Sequence, residues 1–154
     1  MKKFVNHVDH VAWISRPENL EANVAALETL SGRRLSRYEN TALGITVCIS
    51  WEAGLENIAP TAAATPTNQE LRDRLETAGE GVFAVIFGVK DLEAHKARLE
   101  ALGFKVGPLM GGGPDSPSRG RVAVRERRAA QLMNSWFVLG EIDYADGLVA
   151  FEDA

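Results

Sequence analysis

Apolar and polar positions fall into two stretches that match one another. Val8-Asp9-His10-Val11-Ala12-Trp13-Ile14 is a short run of β-forming residues, and Val82-Phe83-Ala84-Val85-Ile86-Phe87-Gly88-Val89 is another. With His10 set against Ala84, Val8 falls on Val82, Val11 on Val85 and Trp13 on Phe87. Apolar residues at helical spacing follow the first run at Leu20, Val24, Leu27 and Leu30, predicting one buried helix face. Leu92, Leu99 and Leu102 follow the second run at matching places. The pattern predicts a duplicated βα unit, one copy of which carries a histidine on its strand and the other an alanine.

The rest of each copy reads as strands. Pro17 suits an early helical turn, and Gly32 ends the first helix. Strands are expected over 33–38, 42–51 and 55–58, with Ile45, Val47 and Ile49 on one side of the second and Pro60 closing the third. Residues 61–67 read as a linker, and Asn68 as the cap of a short helix carrying Leu71 and Leu75. The second copy is expected to give a strand over 82–89 and a helix from Asp91 to Leu102, ended by Gly103. Further strands are expected from 104–106, over 121–132 and over 136–144. Residues 107–120, with Gly111-Gly112-Gly113, Pro108, Pro114 and Pro117, read as a hairpin loop or a ligand lid. They lack the Lys-Ser/Thr context of a phosphate-binding loop. The predicted fold class is α+β: two tandem βαβββ modules, 1–60 and 82–154, joined through a linker with a short helix at 61–81 into one compact domain. One face of the mixed sheet lies under the helices, and the other is free to cup a small-molecule cavity.

Composition narrows the function classes. The 154 residues are 45% hydrophobic and 25% charged, as in ordinary globular proteins, and the net charge is −4. That balance argues against nucleic acid or an anionic membrane as partner. The basic stretch Arg119, Arg121, Arg125, Arg127 and Arg128 reads as a solvated face. Cys48 is the one cysteine, which excludes an intrachain disulfide, and it reads as a small buried residue. The N-terminal stretch lacks the apolar core of a signal peptide, and no run is long enough to span a bilayer, so a cytoplasmic protein is expected.

Four motifs in order carry a family resemblance: Val8-Asp9-His10-Val11-Ala12; Gly54-Leu55-Glu56-Asn57-Ile58-Ala59-Pro60; the helix, Gly-Glu-Gly and strand of 68–87; and Gly140-Glu141-Ile142-Asp143-Tyr144. Together they resemble the vicinal oxygen chelate superfamily, which includes glyoxalase I, methylmalonyl-CoA epimerase, extradiol dioxygenases and bleomycin or fosfomycin resistance proteins. The linker resembles the epimerase branch. The resemblance implies His10, Glu56 and Glu141 as metal ligands or acid–base groups, and a homodimer binding a small oxygenated organic molecule. Members with a metal usually carry histidine where this chain has Ala84. His7 and His95 stand at no equivalent place. The three remaining donors are compatible with Mn, Fe, Co, Ni, Zn or Mg, or with no metal at all. The implied chemistry is that of an isomerase, epimerase or lyase acting at a carbon adjacent to neighbouring oxygens. The alternative is a metal-free binding or antibiotic-resistance-type protein, and a ring-cleaving dioxygenase fits less well because a histidine is missing.

Overall fold

The computed structural model describes residues 4–113 and 115–149. The first module runs β1 (Val8–Ile14), α1 (Leu20–Ser31), β2 (Ser36–Asn40), β3 (Ile45–Ser50) and β4 (Leu55–Pro60). Helix α2 (Pro66–Ala78) leads into the second, which comprises β5 (Gly81–Gly88), α3 (Leu92–Ala101), β6 (Met110–Gly111), β7 (Val122–Leu132) and β8 (Ser135–Tyr144). The order β2-β3-β4-β1-β5-β8-β7-β6 makes one curled, mixed sheet of 8 strands, the glyoxalase-like arrangement expected. Within each module the first strand pairs parallel to the last, β1 with β4 and β5 with β8. The two first strands meet antiparallel at the centre, where Ala12 faces Ala84 and His10 faces Ile86.

Helix ends follow the local chemistry. Gly32 closes α1 in the left-handed conformation, at φ 66°. The side chain of Asp91 caps α3 by accepting from the Ala94 amide at 2.9 Å. Helix α2 starts earlier than expected: Thr65 caps it, with Pro66 in the first turn. Asn68 is instead a buried tie, donating through its amide to the carbonyls of Gly44 at 2.6 Å and Thr61 at 2.9 Å.

The helices divide the two faces of the sheet. Leu20, Val24 and Leu27 of α1 pack with Leu35, Cys48 and Ala59 on the convex side, while Leu30 is 85% exposed and lies outside the face expected of it. Leu92 and Leu99 cover Val89, Ala129 and Leu139 in the second module, and Leu102 is exposed. Helix α2 is on the concave side. Its Leu71 and Leu75 join Ala12, Ile14, Phe83, Ala84 and Ile86 in the main core. The concave side is thus filled at one end by α2 and open at the other. The strand expected at 104–106 is irregular, and only Met110–Gly111 pairs with β7. Residues 150–154 lie outside the described residues. No helix among the described residues is long and apolar enough to cross a membrane.

One glycine fixes how β1 enters the open end. Gly54, in the turn before β4, has φ 63°, and a Cβ there would lie 2.8 Å from the Asp9 carbonyl oxygen. Its own carbonyl accepts from the Val11 amide at 3.0 Å. Replacing Gly54→Ala combines backbone strain with a steric clash, and is expected to cost about 2–3 kcal/mol in urea unfolding. A loss below about 0.5 kcal/mol would show that this close approach does not constrain the strand.

Candidate active site

The open end of the sheet encloses a cavity of about 550 Å³. Ile45, Val47 and Ile49 of β3 form one wall, and Val122 and Val124 of β7 form the other. These are alternating positions whose side chains share a face. The loop residues Gly111, Gly112, Gly113, Ser116 and Ser118 line the remaining side. Trp51 bridges to this loop by donating from Nε1 to Ser118 Oγ at 2.8 Å.

His10 sits at the inner end and is only 3% exposed. A register shift between Val8 and His10 breaks the alternation of β1, so Asp9 and His10 are both buried and hydrogen-bonded to each other. His10 Nδ1 lies 2.7 Å from Asp9 Oδ1. The Tyr144 hydroxyl donates to the same carboxylate, 2.8 Å from each oxygen. The edge of the Trp51 ring system packs against the imidazole, with ring centroids 5.2 Å apart. These contacts fix the ring and turn Nε2 into the cavity. There it meets Glu56 Oε2 at 3.5 Å and Glu126 Oε1 at 3.9 Å.

This cluster has unusual protonation chemistry. Burial alone would lower the His10 pKa. Hydrogen bonding to Asp9 and Glu56, with the charges of Glu56 and Glu126, outweighs that and pushes it up to about 10. Burial raises Glu126 to about 7, with Glu56 and Asp9 adding to the rise and the His10 charge opposing it. Burial pushes Tyr38 at the cavity wall up to about 12, helped by the charge of Glu56. Burial, and then Asp9, also hold the Tyr144 phenol in its protonated, donating form.

The expected site residues separate here. His10 and Glu56 come together in the cavity. Glu141 does not join them. Gly140, Ile142 and Tyr144 occupy the concave phase of β8, and Glu141 shares the convex phase with Leu139. Glu141 accepts from the Leu92 amide at 2.9 Å, at the start of α3, and from Arg125 at 3.3 Å. The carboxylate that does reach His10 from this module is Glu126, which pairs across the strands with Gly140. Its sequence signal is its phase: Glu126 continues the Val122, Val124 alternation, while Arg125 and Arg127 face Glu93 on the other side. Asp9 and Tyr144 complete the constellation and carried no signal in the strand alternation, since the irregularity in β1 sets Asp9. His7, which is exposed, and His95, which is half-buried, lie outside it.

An imidazole and two carboxyls are donors of the kind divalent ions take. Their arrangement does not complete a metal centre: no group of three or more His, Cys, Asp or Glu among the described residues is placed to hold an ion. Ala84 offers no donor, being packed in the core against Ala12 and Trp136.

No protein-family model and no curated protein matches the chain. Solved structures do match. Methylmalonyl-CoA epimerase from Mycobacterium tuberculosis is 19% identical with a TM-score of 0.64, over 89% of this chain and 88% of that one. A Streptomyces coelicolor methylmalonyl-CoA epimerase variant in complex with 2-nitronate-propionyl-CoA is 21% identical with a TM-score of 0.63, over 89% and 97%. A methylmalonyl-CoA epimerase in complex with methylmalonyl-CoA and NH4+ is 20% identical with a TM-score of 0.63, over 94% and 97%. At these identities the likeness shows the fold alone, the glyoxalase-like one.

The raised values give a pH dependence of definite sign. Glu126 rises from 4.5 to about 7 on folding, so its contribution favours the fold below the lower value and is lost as pH rises through the higher. His10 rises from 6.5 to about 10, so its contribution is likewise full below the lower value and lost through the higher. Glu126→Gln cannot ionise. Its Tm relative to wild type is expected to improve by about 3 °C or more between roughly pH 5 and pH 8. Parallel curves across that range would contradict a half-buried, late-ionising Glu126.

Proposed function

We propose that the chain is a proton-transfer enzyme of the isomerase or epimerase type, acting at a carbon beside a carbonyl group. The observation that carries this reading is the convergence of Glu56 and Glu126 on His10 Nε2 at the inner end of the cavity, at 3.5 and 3.9 Å. Epimerisation needs a carboxylate to take a proton from carbon, a carboxylic acid to return one, and a fixed positive group for the enolate oxygen. The environment of Glu126 keeps it near the point where it can be either acid or base at neutral pH.

In this mechanism the substrate carbonyl oxygen accepts from His10 Nε2–H. Glu56 takes the proton from the adjacent carbon, and the C–H electron pair moves onto the carbonyl oxygen as an enolate. The imidazolium stabilises that charge without losing its proton to Asp9, because Asp9 is already held by Tyr144. Glu126 then delivers a proton to carbon as the enolate collapses, and the reverse reaction exchanges the two carboxyls' roles. Apolar walls and Trp51 limit water around the charged groups. The neighbours named methylmalonyl-CoA epimerase support an acyl thioester as the substrate class. The same reading carries a homodimer, as the resemblance implies.

The test is exchange of the carbon-bound proton for deuterium in D₂O, followed by proton NMR on a panel of acyl thioesters and small ketones. Wild-type protein is expected to exchange at least one of them, with and without EDTA. Glu56→Gln and Glu126→Gln are each expected to lose about 10²–10⁴-fold while keeping a cooperative unfolding transition. Tight ligand binding without exchange would point to a binding protein instead. Exchange abolished by EDTA and restored by Mn²⁺ would contradict the metal-free mechanism.

A further inference from the structure

The cavity has a second polar place, at the far end of its apolar wall. Asn40 is the last residue of β2 and pairs with Ile45 of β3, while Glu56 of β4 pairs with Ile49 of the same strand. Asn40 and Glu56 therefore stand four residue steps apart along β3, a distance of roughly 13 Å. Ile45, Val47 and Ile49 line the cavity with them, so the β3 face between the two polar side chains is apolar. Asn40 is only 8% exposed. Its Oδ1 accepts from the Leu43 amide at 3.2 Å, inside the turn that Gly44 closes by donating to the Asn40 carbonyl at 2.9 Å. That bond fixes how the planar amide lies. Nδ2 is left facing away from the turn, and no side chain or carbonyl among the described residues accepts from it. Polar groups of the facing loop are engaged elsewhere: Trp51 Nε1 donates to Ser118, and Ser116 Oγ accepts from the Ser118 amide at 3.3 Å. Gly113 borders the amide. A Cβ there would lie 2.8 Å from Nδ2, so the absence of a side chain keeps the space beside the donor clear.

From this placement we infer that Asn40 is a specificity-determining residue. The ligand it selects carries a carbonyl or hydroxyl oxygen remote from its reacting carbon, with an apolar chain between. The inference deepens the proton-transfer reading and rests on it for which end reacts. The reacting carbon lies at the Glu56 end, the chain follows Ile49, Val47 and Ile45, and the remote oxygen accepts from Asn40 Nδ2. A ligand with a plain hydrocarbon end would strip water from this buried donor and offer no acceptor in exchange, which costs affinity. The class that fits is an acyl or ketone compound with a second oxygen function on a chain of medium length.

The test uses linear methyl ketones of six to twelve carbons and, at each length, the diketone with a second carbonyl beside its other terminal methyl group. Affinities are measured by NMR titration at neutral pH, and deuterium uptake beside the carbonyls is followed on the same samples. At the length that spans the wall the diketone is expected to bind about five- to tenfold more tightly than the monoketone. At the shortest length the two are expected to differ by no more than the twofold or so that two equivalent ends give. Asn40→Asp and Asn40→Ser keep an oxygen for the Leu43 amide but lose the amide nitrogen, and each is expected to close the gap while still unfolding cooperatively. A role confined to the turn would leave the gap in place. Equal affinities in the wild type at every length, a gap that survives in both variants, or no binding of either series would overturn the inference. A gap that closes in the variants, with no deuterium uptake above the buffer rate, would support the role of Asn40 and overturn the proton-transfer reading alone. Uptake without a gap would spare that reading and overturn the inference.

Discussion

The buried pair of Asp9 and His10 is the interaction on which the rest of the open end depends. Taking an imidazolium out of water is costly unless partners replace its hydration, and removing one partner leaves the other charge stranded. Here Asp9 holds Nδ1, the Tyr144 hydroxyl holds Asp9, and Nε2 is left to the two carboxylates in the cavity. The pair forms only because the pairing of β1 with β5 slips at Asp9, bringing neighbouring side chains into one buried cluster. Gly54 permits this by letting the next turn pass close to the Asp9 backbone.

The duplicated fold supplies the setting, and its asymmetry supplies the site. Both first strands lie at the centre of the sheet, with their inner faces toward the same concave space. One end of that space is closed by Leu71 and Leu75 of α2, and Ala84 belongs to the same packed core. The strand that in the other module bears a histidine therefore contributes volume for packing, not a ligand. The second module reaches this cluster from β7, through Glu126, and from the last residue of β8, Tyr144. The first module's edge provides apolar wall, so binding surface and reactive groups are separated along the cavity.

Much of this was legible in the chain itself. The matching runs around His10 and Ala84, Gly32 and Gly103 after the helices, and the Ile45, Val47, Ile49 alternation locate elements and faces, because short-range sterics and burial dictate them. Glu56 came from the resemblance of the Gly54 to Pro60 motif and not from the residue pattern; in the fold it pairs with Ala12, two residues on from His10. Glu141, which the resemblance implied for the site, lies on the other face, and the residue pattern could not show this because β8 is apolar in both phases: Val138 and Ile142 face the concave core, while Leu139 faces α3. Alternation cannot choose a face when both faces are buried. Glu126 was obscured by its neighbours, since a carboxylate among Arg125, Arg127 and Arg128 reads as part of a solvated ion-pair face. The partnership of Asp9 with Tyr144 joins residues 135 apart in sequence, and depends on strand order and a local irregularity that residue pattern does not encode.

In the proposed reaction, a proton on both nitrogens of His10 joins the geometry to the chemistry, since it would make the imidazole a donor to a developing enolate. Long-range proton–nitrogen NMR of the imidazole ring, on protein labelled with ¹⁵N, reports the protonation of each nitrogen directly. At a pH near 8, where an ordinary histidine is neutral, His10 is expected to show both nitrogens protonated and no titration step near 6.5. A neutral imidazole with one bare nitrogen at that pH would contradict the account.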